Sequence, residues 1–157
     1  MTKEAATFWD EQIGHLPIQQ PARLSQAALV TEAIEQMQQK GYGCILALNE
    51  KEELVGVFTD RDAMQQYIGT SLPDNTSLSD VMTANPYTID AEESVKGAVE
   101  MFHEKKVRHL PVIDKKKGLI GLLSVRVLTD FIAEHLPGDV LNLPPDPTIV
   151  SHGTDGG

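Results

Sequence analysis

One register of self-similarity constrains this chain more than any other feature. Gly56 and Gly121 stand 65 positions apart, and the same offset runs without a gap over most of both halves. Pro21 maps onto Pro86 and Leu24 onto Ile89, while Val30, Ala33, Ile34 and Met37 map onto Val95, Ala98, Val99 and Phe102. The pairs Ile45/Leu110, Leu48/Ile113, Leu54/Leu119 and Val55/Ile120 follow, and then Thr59/Ser124 and Arg61/Arg126. Chance does not hold one register through so many apolar positions, so the chain is two copies of one unit. A unit of about 60 residues buries too little surface to be comfortable alone, and the copies are expected to pack as a pseudo-twofold pair.

Each copy has the same internal order. A short extended piece (22–24; 87–89) leads to Ser25 or Asp90, each placed to cap a helix, and Asp90 with Glu93 has the spacing of a capping box. The helix carries apolar residues at i, i+3, i+4 and i+7 and runs to Lys40 or Lys106. Next come strands 44–48 or 109–113, continuously apolar at the centre and so expected to be covered on both faces. Polar turns (NEKEE, DKKKG) lead into strands 54–58 or 119–123. Helices 60–68 or 125–135 close the units. The fold class is α/β (α+β), two β-α-β-β-α repeats at 21–70 and 86–135 joined by a linker at 71–85.

The flanks have a different character. Trp9, Ile13 and Leu16, with Phe8, put one apolar face on a helix within 1–20, ended by Gly14 and Pro17. The stretch 136–157 is rich in Pro and Gly and reads as an extended tail, whose LNLPPDP piece suits a strap onto a partner subunit.

Composition narrows the function. The 157 residues are 41% hydrophobic, enough for a core, and the net charge of -10 disfavours nucleic acid or an anionic membrane as partner. The single cysteine, Cys44, excludes a disulfide framework and fits a reducing compartment. The N-terminal stretch lacks the apolar core of a signal peptide, and no apolar run approaches the roughly 20 residues of a membrane span. The expected location is the cytoplasm. The five histidines show no metal-ligand spacing, and no Gly-x-Ser-x-Gly elbow, Cys/His pair or Walker pattern is present. No enzyme is expected, and no catalytic cofactor or metal.

The stretch Leu54–Asp62, LVGVFTDRD, runs from strand into Thr-x-x-Asp and then helix. Thr59 and Asp62 at this spacing make a capping box; they also set a hydroxyl and a carboxylate beside free N–H groups, where a ribose diol can be held. Both meanings stay open on these nine residues.

From Pro21 to Ala133 the chain resembles a tandem pair of CBS domains, the Bateman module. The marks are Leu78-Ser79-Asp80-Val81-Met82-Thr83 followed by Asn85-Pro86, the strand Val107-Arg108-His109-Leu110-Pro111-Val112-Ile113-Asp114, and Gly-apolar-apolar-Ser/Thr before the last helix of each unit. The resemblance implies a regulatory, non-catalytic module that binds adenine nucleotides between its units. Carried over by position, Thr59 and Asp62 would hold the ribose, and Val57 and Phe58 would flank the adenine or give backbone contacts. Val107, Leu110 and Pro111 would offer apolar surface, with Met82 and Tyr87 bounding the stretch that walls the base. Arg108, His109 and Arg126 would reach phosphate, for which a guanidinium fork suits better than Lys. Arg108 and His109 are equally readable as a solvated strand end, and Arg126 as the partner of an acidic neighbour.

In the second unit Val127 stands where the ribose carboxylate belongs, with Ser124 and Arg61 remaining and Tyr42-Gly43-Cys44 opposite. One competent and one degenerate cleft are expected. The module would sense AMP, ADP or ATP, pair as a homodimer as the resemblance implies, and modulate an unidentified protein. The alternative is a dimerisation or docking module whose clefts have decayed.

Overall fold

The computed structural model describes residues 8–136. Strand β1 (Arg23–Ser25), helix α1 (Val30–Lys40), β2 (Cys44–Leu48), β3 (Leu54–Thr59) and α2 (Asp60–Asp62), which runs on into π-helical turns Ala63–Ile68, make the first repeat. Helix α3 (Leu78–Val81) and β4 (Thr83–Ala84) follow, and then β5 (Ile89–Asp90), α4 (Val95–Lys105), β6 (His109–Asp114), β7 (Gly118–Ser124) and α5 (Val125–His135). The mixed α/β architecture and the twofold β-α-β-β-α order are those expected. The sheets run β1-β2-β3-β4 and β5-β6-β7, with the central strand parallel to the first and antiparallel to the next. Even the irregularities repeat: the ladder shifts register between Ala47 and Leu48 and again between Val112 and Ile113, 65 residues on.

Strand alternation divides the core into three parts. On β2, Ile45 and Ala47 face the helices of their own repeat, joined by Phe58, whereas Cys44 and Leu46 meet Val57 and Leu122 in a cluster shared between the repeats. On β6, Leu110 and Val112 enter the second repeat's own core beside Phe102 and Leu128. Burial on both faces is why these strands read as unbroken apolar runs.

Each repeat borrows the segment that precedes the other. Ile13 and Leu16 lie in the core of the second repeat, while Leu78 and Val81 lie in that of the first, and these residues are also 65 apart. β4 pairs with β3 at Gly56 and Val57, and Gln19 bridges β7 at Leu122 with bonds of 2.8 and 2.9 Å. Gly121 has to be bare there: a Cβ would lie 2.8 Å from the backbone oxygen of Gln19.

Four expectations are corrected. The segment around Trp9 is not one helix; only a 3₁₀ turn, Ile13–His15, follows the helical Phe8–Trp9. Phe8, Ile13 and Leu16 are buried nonetheless and Trp9 partly so, with the segment fixed by Ile13 and Gly14, which donate to the Glu93 and Ala91 carbonyls at 2.8 Å. Ser25 and Asp90 do not cap helices. They hold the N–H groups of Ala27 and Glu92, and the helices start later, behind Leu29 and behind Ser94, whose Oγ accepts from Gly97. The stretch 71–85 is not a bare linker, since it holds α3 and β4. The side chains of Phe58 and Leu110 are fully buried among their own helices, so neither side chain offers surface to a base, and for Phe58 the backbone contacts remain the open alternative. The tail and its LNLPPDP piece lie outside the described residues.

Candidate functional site

The end of β3 gathers a polar cluster of three side chains. Thr59 Oγ1 accepts from the Asp62 N–H at 3.1 Å, and Asp62 Oδ2 accepts from the Thr59 N–H at 3.1 Å, a complete capping box. Thr83, brought alongside by the pairing of β4 with β3, donates to the same carboxylate at 3.4 and 3.5 Å. The carboxylate is thus held in place while Oδ1 keeps only the longest of these contacts among the described residues. A half-buried acceptor fixed in this way suits a pair of vicinal hydroxyls.

Asp60, two residues before Asp62, lies against Gly43, just ahead of β2. Its N–H donates to the Gly43 carbonyl at 3.0 Å, and a Cβ on Gly43 would lie 2.9 Å from its carboxylate. At the matching place in the second repeat Val125 donates to the Arg108 carbonyl, also at 3.0 Å. Asp60 therefore replaces a valine and Gly43 an arginine, so the acids gather on the first repeat and the bases on the second.

The two groups feel each other across the cleft. Burial holds the His109 imidazole below its ordinary pKa; the Asp60 carboxylate, and more weakly Asp62, pulls it back up, and Arg108 pushes it down. His109 and Pro111 alternate with Leu110 on β6, so they take the face turned from that repeat's own helices. Cys44 is pushed up to about 12, first by burial and then by Asp62 and Asp60. At neutral pH it is a thiol, and no thiolate is available there.

The remaining expected residues divide. Met82 lies over Gly56, where a Cβ would collide with its sulfur, and packs against the first repeat's core, with Thr83 next in the chain. Val57 is 7% exposed and belongs to the shared cluster, and Pro111 is buried. Arg108 and Arg126 are exposed, and among the described residues neither makes an ion pair within 4 Å. Val107 and Arg108 also line a groove on the outer side of the second repeat. Tyr87 is 53% exposed with Lys105 Nζ 5.1 Å from its ring centre, occupied on that side rather than with the carboxylate. Thr83 and Asp60 were not among the expected ligands; Thr83 stands in the quoted linker motif, but only the β3–β4 pairing reveals its contact with Asp62.

In the opposite cleft Ser124 caps α5 through Val127, with Oγ accepting from the Val127 N–H at 3.1 Å. Val127 takes the place of Asp62, and Ile18 that of Thr83; both pack against the second repeat's apolar core. The polar pair of one cleft is an apolar pair in the other.

A family model for the CBS domain matches residues 13–69 and 78–134, and the chain belongs to this family. Its two matches begin and end 65 residues apart, taking in the borrowed segments. Among curated proteins, the chain is similar to the mitochondrial CBS domain-containing protein CBSX3 of Arabidopsis thaliana, 32% identical over 113 residues, covering 68% of this chain and 54% of that protein. The chain spans about half or less of the length of the curated relatives it matches. Among solved structures, it resembles a CBS domain protein from Pyrobaculum aerophilum complexed with AMP, with a TM-score of 0.69 at 20% identity over 79% of this chain and 99% of that one. It also resembles the CBS domain pair of protein MJ0100 in complex with 5'-methylthioadenosine and S-adenosyl-L-methionine, with a TM-score of 0.70 at 15% identity over 79% and 97%. At these identities the likeness to solved structures concerns the fold. Among the described residues no helix is long and apolar enough to cross a membrane.

Proposed function

We propose that this chain is a regulatory module that takes up an adenosine-containing nucleotide in the cleft closed by Thr59, Asp62 and Thr83 on one side and Arg108 and His109 on the other. The observation that carries this is the fixed Asp62 carboxylate opposite uncompensated bases: one end suits a ribose diol, the other a phosphate. Purine-bearing ligands in structurally similar CBS proteins agree with it. Met82 supplies apolar surface, and backbone groups of β3, Val57 and Phe58 among them, supply the polar contacts a purine needs. Arg126 approaches the phosphate from α5. The module acts on a partner through a change in the packing of its repeats or of a homodimer, and only to the extent that the ligand prefers one arrangement.

Asp62→Asn tests this. The amide keeps the capping geometry and loses the anionic acceptor, so AMP affinity should fall about ten- to a hundredfold, from the roughly 1.5–3 kcal/mol of hydrogen bonds to a charged group. Calorimetric titration of the protein, freed of co-purified ligand, reads the change. Equal affinity in both proteins would remove Asp62 from the site. Absence of binding to AMP, ADP, ATP and S-adenosylmethionine would favour a docking module instead.

A further inference from the structure

Asp60 is a charge that the two repeats do not share. It opens α2, whereas the matching helix α5 opens with Val125, and it lies against Gly43, where the second repeat has Arg108. Its carboxylate is held in place. Oδ1 accepts from the Arg61 N–H at 2.8 Å, and the bare Cα of Gly43 leaves room for Oδ2, which a Cβ there would meet at 2.9 Å. Among the described residues it makes no ion pair within 4 Å. Of the charged groups acting on the His109 imidazole it is nonetheless the strongest, ahead of Arg108 and Asp62. An acid in the first turn suits the helix dipole, but Asp62 already supplies one to α2, and α5 starts without any. A fixed, unpaired carboxylate thus stands within electrostatic reach of the wall that offers bases to phosphate.

We propose that Asp60 makes this cleft selective for a nucleoside monophosphate, admitting one phosphate and opposing a second and third by like charge. This rests on the nucleotide reading above and adds its selectivity. With His109 neutral at pH 7.5, the cations assigned to the phosphate end are Arg108 and Arg126, enough for the roughly two negative charges of one phosphate group. Each further phosphate adds negative charge and meets no further base. The first repeat's counterpart of Arg108, which could have supplied one, is Gly43, and Asp60 lies over it. Like charges about 7 Å apart in water disfavour binding by about threefold, so ADP should bind about threefold and ATP about tenfold more weakly than AMP. Adenosine leaves Arg108 without a partner and should also bind more weakly than AMP, so affinity peaks at one phosphate.

Calorimetric titration with adenosine, AMP, ADP and ATP at low salt decides this, in buffer free of divalent cations that would mask phosphate charge. In Asp60→Asn the amide oxygen still accepts from Arg61, and the gap between AMP and ATP should close. Asp60→Glu restores the charge and should keep the gap. The wild-type gap should also narrow as salt rises, a readout that needs no variant to fold. Wild-type protein that binds ATP as tightly as AMP would overturn the proposal, as would an undiminished gap in Asp60→Asn or a gap that ignores salt. Absence of binding to all four ligands would instead overturn the nucleotide reading on which it rests.

Discussion

Asp62 and His109 carry opposite halves of one electrostatic arrangement. Asp62 is pinned by the Thr59 N–H and approached by Thr83, so its carboxylate cannot turn away to bulk water without giving up the cap. His109 is held below the ordinary imidazole value of 6.5 by burial, despite the opposing pull of Asp60 and Asp62. The sign for stability follows from proton uptake. The unfolded chain binds a proton at this residue more readily than the folded one, so the contribution is intact above pH 6.5 and declines as pH falls below it. His109→Gln should therefore flatten the drop in Tm between about pH 7 and pH 5.5, followed by scanning calorimetry. Parallel curves for the two proteins would show that His109 ionises freely in the folded state.

At the scale of elements, the leading segment behaves as part of the second repeat rather than as an appendage. Ile13 is fully buried in that repeat's core, and Gln19 extends its sheet. Ile13→Ala should cost about 2–5 kcal/mol in urea unfolding, the range for emptying a buried aliphatic site. A loss below about 0.5 kcal/mol would mean that the segment is peripheral. What the sequence could disclose here follows from the range of the forces involved. β2, β6 and α5 were legible because apolar runs and a 3.6-residue period are local properties. The Thr-x-x-Asp spacing was legible as a capping box for the same reason, whereas the ligand role of Thr59 and Asp62 came from the family resemblance. The helix starts were misplaced because Ser25 and Asp90 suit a cap and a turn equally well, and the chain uses them for turns. Ile13 and Leu16 were recognised as apolar positions, but the backbone bonds that seat them, from Ile13 and Gly14 to Glu93 and Ala91, span about 80 residues, which no local pattern records. Phe58 and Leu110 were assigned to the cleft with their neighbours, yet alternation along the strand sends them to the opposite face. Thr83 reaches Asp62 only through a sheet pairing that crosses the linker.

The whole molecule is a pair of repeats with exchanged leading segments and unequal clefts. Exchange ties the repeats together, since each core contains residues from ahead of the other, and the shared cluster around Leu46, Val57 and Leu122 closes the middle. The symmetry stops at the polar residues. Asp62 and Thr83 in one cleft become Val127 and Ile18 in the other, and Gly43 with Asp60 becomes Arg108 with Val125. On the proposed reading, a diol acceptor stands once among the described residues, on the side of the chain opposite Arg108 and His109. Calorimetric titration of the ligand-free protein with AMP tests this central claim most directly, through the number of sites. The account predicts saturation at one nucleotide per chain; two equivalent sites, or none, would contradict it.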